Sequence, residues 1–195
     1  MRKVILAMQM TLDGFSTGPN GEMDRLPPFN NEELWRDLHE EMWNNLRTTD
    51  TLLLGRVTYQ IWEKYWPAAA TNPASTMNDK EFSRYAEETQ KIVFSNTLEK
   101  AEWKNTRLIK ENIAEEILKM KQQPGKNMVV AGGAGIAQTF AKLGLIDEYN
   151  IVVHPVLLGK GKPLFKDLND RIKLKLLGTK TFNSGAVGLR YQPVT

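Results

Sequence analysis

VVAGGAGIAQTF, residues 129–140, is the stretch of the sequence that decides the fold. An apolar segment runs directly into Gly132 and Gly133, and Ala134 then begins a segment with helical character. Helix N-termini carry unpaired N–H groups, and glycines let a ligand approach the backbone, so a phosphate can bind at such a junction. The dinucleotide fingerprint GxGxxG, counted from Gly133, requires glycine where the chain has Gln138. The junction therefore indicates either a phosphate site or only a tight turn.

A second junction of the same kind lies earlier in the chain, at LLLGRVTY, residues 52–59. Gly55 allows close approach, and the hydroxyl of Thr58 can cap a helix or bind a phosphate. The guanidinium of Arg56 is a permanently charged planar fork that suits a phosphate monoester. The alternative is a surface arginine beside a capping threonine.

A third junction is FSNT, residues 94–97, where Ser95 and Asn96 follow a strand. Ligands of open α/β sheets bind at the carboxyl ends of the strands. Three small polar loops after three strands therefore favour a binding site at one edge of a sheet.

Strands and helices alternate along the rest of the chain, which predicts an α/β fold with a central, mostly parallel sheet covered on both faces. We expect a single domain, residues 1–195. The predicted strands are Val4–Met8, Thr51–Leu54, Lys91–Phe94, Arg107–Ile109, Asn127–Ala131 and Glu148–Val153, and the predicted helices cover 34–46, 55–66, 112–121 and 134–143.

Two segments interrupt this alternation. Residues 172–182 and 186–194 alternate in polarity around Asn183-Ser184-Gly185, which predicts an antiparallel C-terminal hairpin. Residues 67–80 are small and polar, and we expect a surface loop there.

Composition excludes several classes of function. The chain has no cysteine and only two histidines, His39 and His154, so a metal site is not expected, and His154 is expected to be structural. The net charge of +3 is spread along the chain, which does not favour nucleic-acid binding. The apolar runs are too short to span a membrane, and the N-terminal MRKVILAMQM indicates a core strand rather than a signal peptide. We therefore expect a cytoplasmic protein with a small-molecule substrate.

Six motifs, in this order, resemble the dihydrofolate reductase-like fold. They are closest to the C-terminal reductase domain of the bifunctional riboflavin-biosynthesis deaminase/reductase, here without the deaminase domain. The motifs are TLDG at 11–14, LGRVTY at 54–59, VFSN at 93–96, GGAG at 132–135, DE at 147–148 and PVLLGKGKPLF at 155–165.

The resemblance implies NADPH as the cofactor and hydride transfer as the reaction. It implies phosphate contacts from Gly55, Arg56 and Thr58, with Arg56, Ser95 and Asn96 at the adenosine 2′-phosphate. It assigns the pyrophosphate to the turn Gly132, Gly133, Ala134, Gly135 and Ile136, with a cis peptide between the two glycines. It places Met8, on the first strand, beside the nicotinamide. Thr11 and Trp43 are candidate substrate contacts, and the alternative for Trp43 is a core residue or a pocket wall. Separately from the resemblance, the strands at the predicted cofactor edge and the exposed C-terminal hairpin suggest a homodimer.

The source of the proton is less defined. True dihydrofolate reductases carry a carboxylate on the first helix, and His39 stands at about that place, with Asp37 and Glu40 beside it. His39 is either a proton donor to a carbonyl or imine, or a partly buried structural residue. Asp13 is either a turn residue or a catalytic contact. Lys160 and Lys162 are either solvated charges or attract an anionic substrate.

Two other functions stay open at this point. A true folate reductase would use the same fold, although the missing carboxylate argues against it. A non-catalytic nucleotide sensor on the same fold would bind the cofactor without turnover.

Overall fold

An eight-stranded sheet organises the molecule, whose computed structural model describes residues 1–21, 32–168 and 170–194, with only the backbone for 32–37. Its strands are β1 (Val4–Thr11), β3 (Thr49–Gly55), β4 (Gln90–Phe94), β5 (Thr106–Ile109), β6 (Asn127–Ala131), β7 (Glu148–His154), β9 (Leu174–Thr181) and β10 (Val187–Pro193). Two short strands, β2 (Phe15–Thr17) and β8 (Lys162–Pro163), pair separately. The helices are α1 (Glu32–Arg47), α2 (Arg56–Ala69), α3 (Met77–Glu88), α4 (Ile113–Gln122) and α5 (Ala134–Lys142).

The strand order is β5-β4-β3-β6-β1-β7-β10-β9. The first six strands are parallel, and β10 pairs antiparallel with both β7 and β9. The predicted mostly parallel sheet with an antiparallel C-terminal hairpin is therefore confirmed. Strand β6 returns between β3 and β1, so the loops after β3, β4 and β6 emerge side by side at one edge of the sheet.

Helices cover both faces because the central strands are apolar on both sides, and Leu52, Leu53 and Leu54 are all fully buried. On one face, α4 and α5 pack on alternate strand residues in a cluster that includes Leu53, Ile117, Met120, Val130 and Phe140. On the other face, α1, α2 and α3 contribute to a cluster that includes Trp43, Leu52, Leu54, Tyr59 and Phe82.

The predicted surface loop at 67–80 is wrong at both ends. Helix α2 continues to Ala69, with Pro67 inside its last turn, and α3 begins at Met77. The start of α3 is fixed by a capping box. The backbone N–H of Asp79 donates to the Thr76 hydroxyl at 3.1 Å, and the Thr76 N–H donates to the Asp79 carboxylate at 3.0 Å. The small, polar composition of the segment concealed this local helix signal.

None of the helices among the described residues is both long and apolar enough to cross a bilayer. Those residues also contain no group of three or more histidine, aspartate or glutamate side chains placed to hold a metal ion.

Candidate functional site

The three predicted junctions meet at the carboxyl edge of three adjacent strands. Strand β3 pairs with β4 up to Gly55 and Phe94, and with β6 up to Leu53 and Val130. The chain leaves β3 into α2 on one face of the sheet and leaves β6 into α5 on the other. Two helix N-termini and the loop after β4 therefore converge on one place.

An open cleft of about 570 Å³ occupies this edge. It is lined by residues that the sequence predicted for the cofactor, namely Gly55, Arg56, Thr58, Ser95, Asn96, Gly133, Gly135 and Ile136. Gly132 and Ala134 belong to the same turn but do not line the cleft, and Met8 is partly buried against the core. The fold therefore brings most of the predicted cofactor residues together at one cleft. The cleft geometry does not show what binds there.

Both helix N-termini at the cleft lack side-chain caps. Gly55 precedes α2 and Gly133 precedes α5, and neither helix has an acidic residue in its first turn. Helix α3, by contrast, is capped by Thr76 and Asp79. Uncapped N–H groups and the positive end of the helix dipole favour a bound anion. The two helices thus offer anion-binding positions on opposite sides of the cleft.

Two cations stand at the cleft. Arg56 is exposed, and its guanidinium donates to Gln60 Oε1 at 3.1 Å, a contact within its own helix. Lys110, also exposed, lies in the loop after β5 and was not predicted. Its position directly after a strand is the signal that could have found it.

The loop after β4 is held by Ser95. Its hydroxyl oxygen accepts hydrogen bonds from the backbone N–H groups of Thr97 at 3.2 Å and Leu98 at 3.0 Å. Because those bonds use the oxygen lone pairs, the Ser95 O–H is the donor in its 3.4 Å contact with the Thr97 hydroxyl, and it can rotate from there to a phosphate oxygen. Asn96, at the tip of the loop, is exposed toward the same cleft.

The turn between β6 and α5 differs from the family expectation at one bond. No cis peptide bond occurs among the described residues, so the peptide between Gly132 and Gly133 is trans and the predicted cis bond is wrong. The chain instead reverses through two consecutive positive φ angles, 82° and 86°, which glycine adopts freely. A Cβ on Gly132 would lie 2.7 Å from Cγ2 of Thr58. Thr58 therefore packs directly on this turn and joins α2 to it.

His39 and Trp43, one turn apart on α1, form a hydrogen-bonded pair. The indole N–H of Trp43 donates to Nε2 of His39 at 2.6 Å, and the two rings meet edge to face. Nε2 is thus an acceptor, and neutral His39 carries its proton on Nδ1. Trp43 is buried in the core, whereas His39 is partly exposed. Their predicted catalytic and substrate roles stay predictions, and the Asp37 side chain lies outside the described residues.

Asp13 ties the TLDG segment to the loop after β7. Its carboxylate accepts hydrogen bonds from the Thr11 hydroxyl at 2.5 Å and from the Gly159 N–H at 2.7 Å, and also from the Leu158 N–H. The Thr11 hydroxyl, followed by the Gly159 N–H, holds the pKa of the Asp13 carboxyl below its ordinary value. The predicted catalytic role of Asp13 stays a prediction, and this geometry favours a positioning role over proton donation.

We expect Asp13→Ala to release the loop after β7, because Leu158 and Gly159 lose their acceptor. Hydrogen exchange at these two amides should accelerate several-fold, with Asp13→Asn intermediate. Asp167→Ala is the matched control, since Asp167 is exposed and pairs only distantly with Lys166, at 3.9 Å. Unchanged hydrogen exchange at Leu158 and Gly159 in Asp13→Ala would show that Asp13 does not hold this loop.

A family model described as the RibD C-terminal domain matches residues 2–187. Two Bacillus subtilis (strain 168) proteins, both named as uncharacterized, are similar over nearly their whole length. YyaP is 38% identical over 97% of this chain and 94% of its own, and YwjB is 32% identical over 97% of each.

Solved structures share the fold at low identity. A putative riboflavin biosynthesis protein from Shewanella sp. PV-4 matches with a TM-score of 0.73 and 22% identity over 100% of both chains. A Thermotoga maritima deaminase/5-amino-6-(5-phosphoribosylamino)uracil reductase matches with a TM-score of 0.65 and 17% identity over 99% of this chain and 57% of its own. Enterococcus faecalis dihydrofolate reductase, complexed with NADP(H), matches with a TM-score of 0.62 and 13% identity over 99% of this chain and 97% of its own.

Proposed function

Because the chain belongs to the RibD C-terminal domain family, we propose that it is an NADPH-dependent reductase. The predicted family and the predicted dihydrofolate reductase-like fold are both confirmed. The family and the structural relatives indicate a riboflavin-pathway reductase-like function. The finer proposal is hydride transfer to a carbonyl or imine carbon of a small substrate of the 5-amino-6-(5-phosphoribosylamino)uracil type.

The observation that carries the proposal is the cleft, with two uncapped helix N-termini and the exposed cations of Arg56 and Lys110. A dinucleotide such as NADPH has a pyrophosphate and a 2′-phosphate, and both need donors and positive charge. The N-termini of α2 and α5 suit the pyrophosphate, because their N–H groups lack side-chain acceptors. Arg56, with Ser95 and Asn96 nearby on the adjacent loop, suits the 2′-phosphate. The residues present therefore fit the cofactor that the family implies.

NADPH, when bound, would supply the hydride, and the chain's residues would bind and orient the two reactants. Thr58 holds the glycine turn against α2 and so fixes the spacing of the two N-termini. Met8 of β1 is proposed to border the nicotinamide. Asp13, through its bonds to the loop after β7, would keep the substrate side of the site in place. A proton would come from Nδ1 of His39 or from water.

We expect Arg56→Ala to weaken NADPH binding about tenfold, the scale of one charge-assisted contact with a phosphate. NADH lacks the 2′-phosphate, so its affinity should change less than about twofold. Both dissociation constants can be measured by fluorescence titration.

Arg84→Ala is the matched control, because Arg84 is an exposed arginine on α3 that does not line the cleft. An Arg56→Ala variant that loses both cofactors equally, or neither, would argue against the 2′-phosphate assignment.

Turnover separates a reductase from a nucleotide sensor. The parent protein, mixed with NADPH and 5-amino-6-(5-phosphoribosylamino)uracil, should oxidise NADPH in proportion to product formed. Binding of NADPH with no oxidation across a panel of carbonyl and imine substrates would favour the sensor. The predicted homodimer and cytoplasmic location stay predictions.

A further inference from the structure

Gln9 lies where the sheet opens beside the site. Strand β1 pairs with β6 only as far as Ala7 and Ala131, whereas its pairing with β7 continues to Thr11 and His154. Gln9 therefore stands beyond the end of β6, at the carboxyl edge of the sheet. Its side chain shares a face with those of Ala7 and Thr11, because alternate residues of a strand point to the same side.

This face of β1 and β7 is the one that α1 covers. Ala7 packs against the cluster that contains Trp43, and Val152, opposite Gln9 on β7, packs against Leu38. Gln9 thus lies between the sheet and α1, and it is partly exposed. In the proposed reductase this is the substrate side, across β1 from the cofactor cleft.

A buried imidazole fixes the orientation of the Gln9 side chain. His154 is fully buried, and its Nε2 lies 2.7 Å from Oε1 of Gln9. Its Nδ1 is buried and has no hydrogen-bond partner among the described residues. Unpaired buried N–H groups are rarer than unpaired buried acceptors, so the proton belongs on Nε2. Nε2–H then donates to Oε1 of Gln9.

This bond points the Gln9 amide nitrogen away from His154. Within the described part of the chain, no residue accepts a hydrogen bond from that nitrogen, which leaves two donors at a partly exposed position. Burial lowers the pKa of His154 to about 4, so the imidazole is neutral at physiological pH and keeps this single arrangement. Two apolar side chains would fill the same space without desolvating an imidazole and an amide, so packing alone does not explain the Gln9–His154 pair.

We propose that Gln9 is a substrate-recognition residue that donates its amide N–H to a carbonyl oxygen of a pyrimidine ring, and that His154 is its positioning residue. This inference rests on the proposed function, because it assigns the pyrimidine to the side of β1 opposite the cofactor cleft. It revises the purely structural role that the sequence suggested for His154.

The test is equilibrium binding of 5-amino-6-(5-phosphoribosylamino)uracil in the presence of saturating NADP⁺, measured by calorimetry. Gln9→Leu should weaken binding of this probe about tenfold, the scale of one hydrogen bond between neutral groups. The affinity for NADPH, titrated separately, should stay within about twofold, because Gln9 is outside the cofactor cleft.

Two substitutions of His154 test the positioning role. His154→Gln places a donor nitrogen close to where Nε2 lies, so probe binding should stay within about twofold of the parent. His154→Asn is too short to reach Gln9 and should weaken the probe as much as Gln9→Leu does. If His154 had only a structural role, probe affinity would not be kept in His154→Gln and lost in His154→Asn.

The outcomes separate this inference from the proposed function. Gln9→Leu with unchanged probe affinity, or with equal losses for probe and NADPH, would overturn the inference. A parent that binds NADPH but not the probe would also overturn it, while the cofactor proposal would stand. A parent that binds no NADPH would count against the proposed function itself.

Discussion

Gly132→Ala is expected to destabilise the protein by about 3 kcal/mol or more and to weaken NADPH binding more than tenfold. A non-glycine residue in the left-handed region costs about 1–2 kcal/mol, and Gly132 has φ 82°. The new Cβ would also lie 2.7 Å from Cγ2 of Thr58, a distance that forces α2 or the turn to move. Urea denaturation and NADPH titration measure the two losses.

Gly144→Ala is the matched control for this prediction. Gly144 also has a positive φ, 63°, but an added Cβ would have no heavy atom within 4 Å, and the residue lies outside the cleft. It should lose about 1 kcal/mol of stability through backbone strain and keep its NADPH affinity. Thr58→Ser removes Cγ2 and should recover part of the Gly132→Ala loss. Equal effects of the two glycine substitutions would contradict the packing of Thr58 on the turn.

Acid should destabilise the parent through His154, by on the order of 3 kcal/mol between pH 6.5 and pH 4. Burial lowers the pKa of His154 from 6.5 to about 4 in the folded protein. Between these values the unfolded chain binds a proton that the folded protein does not, so stability falls as the pH falls. The contribution is fully present above about pH 6.5 and is lost as the pH drops toward 4.

His154→Gln removes the titrating group and should flatten the stability profile over this interval. The comparison is made by urea denaturation at half-unit pH steps. His39→Gln is the control, because His39 is the other histidine of the chain. A parent slope that persists in His154→Gln, or that disappears equally in His39→Gln, would contradict the assignment.

The sheet edge proposed to bind the cofactor could be predicted because its signals are local. Gly55 ends one strand and Arg56 and Thr58 follow it, the turn at 132–136 follows another strand, and parallel strands end at the same edge. The C-terminal hairpin could also be predicted from local signals, because the turn residues at 183–185 separate two segments that alternate in polarity. Each of these predictions needed only the strand order along the chain.

The hydrogen bonds made by Gln9 and Asp13 could not be predicted in the same way, because they join distant segments. Gln9 and His154 are 145 residues apart and meet only through the register of β1 against β7. Asp13 reaches Gly159 across 146 residues. A strand shift of one residue would move each side chain to the other face. Sequence patterns give the strands but not that register.

The most direct test of the proposed cofactor site is a parallel titration of the parent protein with NADPH and NADH, using its five tryptophans as fluorescent reporters. NADPH should bind at least about tenfold more tightly, because Arg56 is proposed to contact the 2′-phosphate that NADH lacks. Equal affinities would contradict the 2′-phosphate assignment. Absence of binding by either would mean that the glycine turn between β6 and α5 holds no dinucleotide, and the proposed reductase would be abandoned.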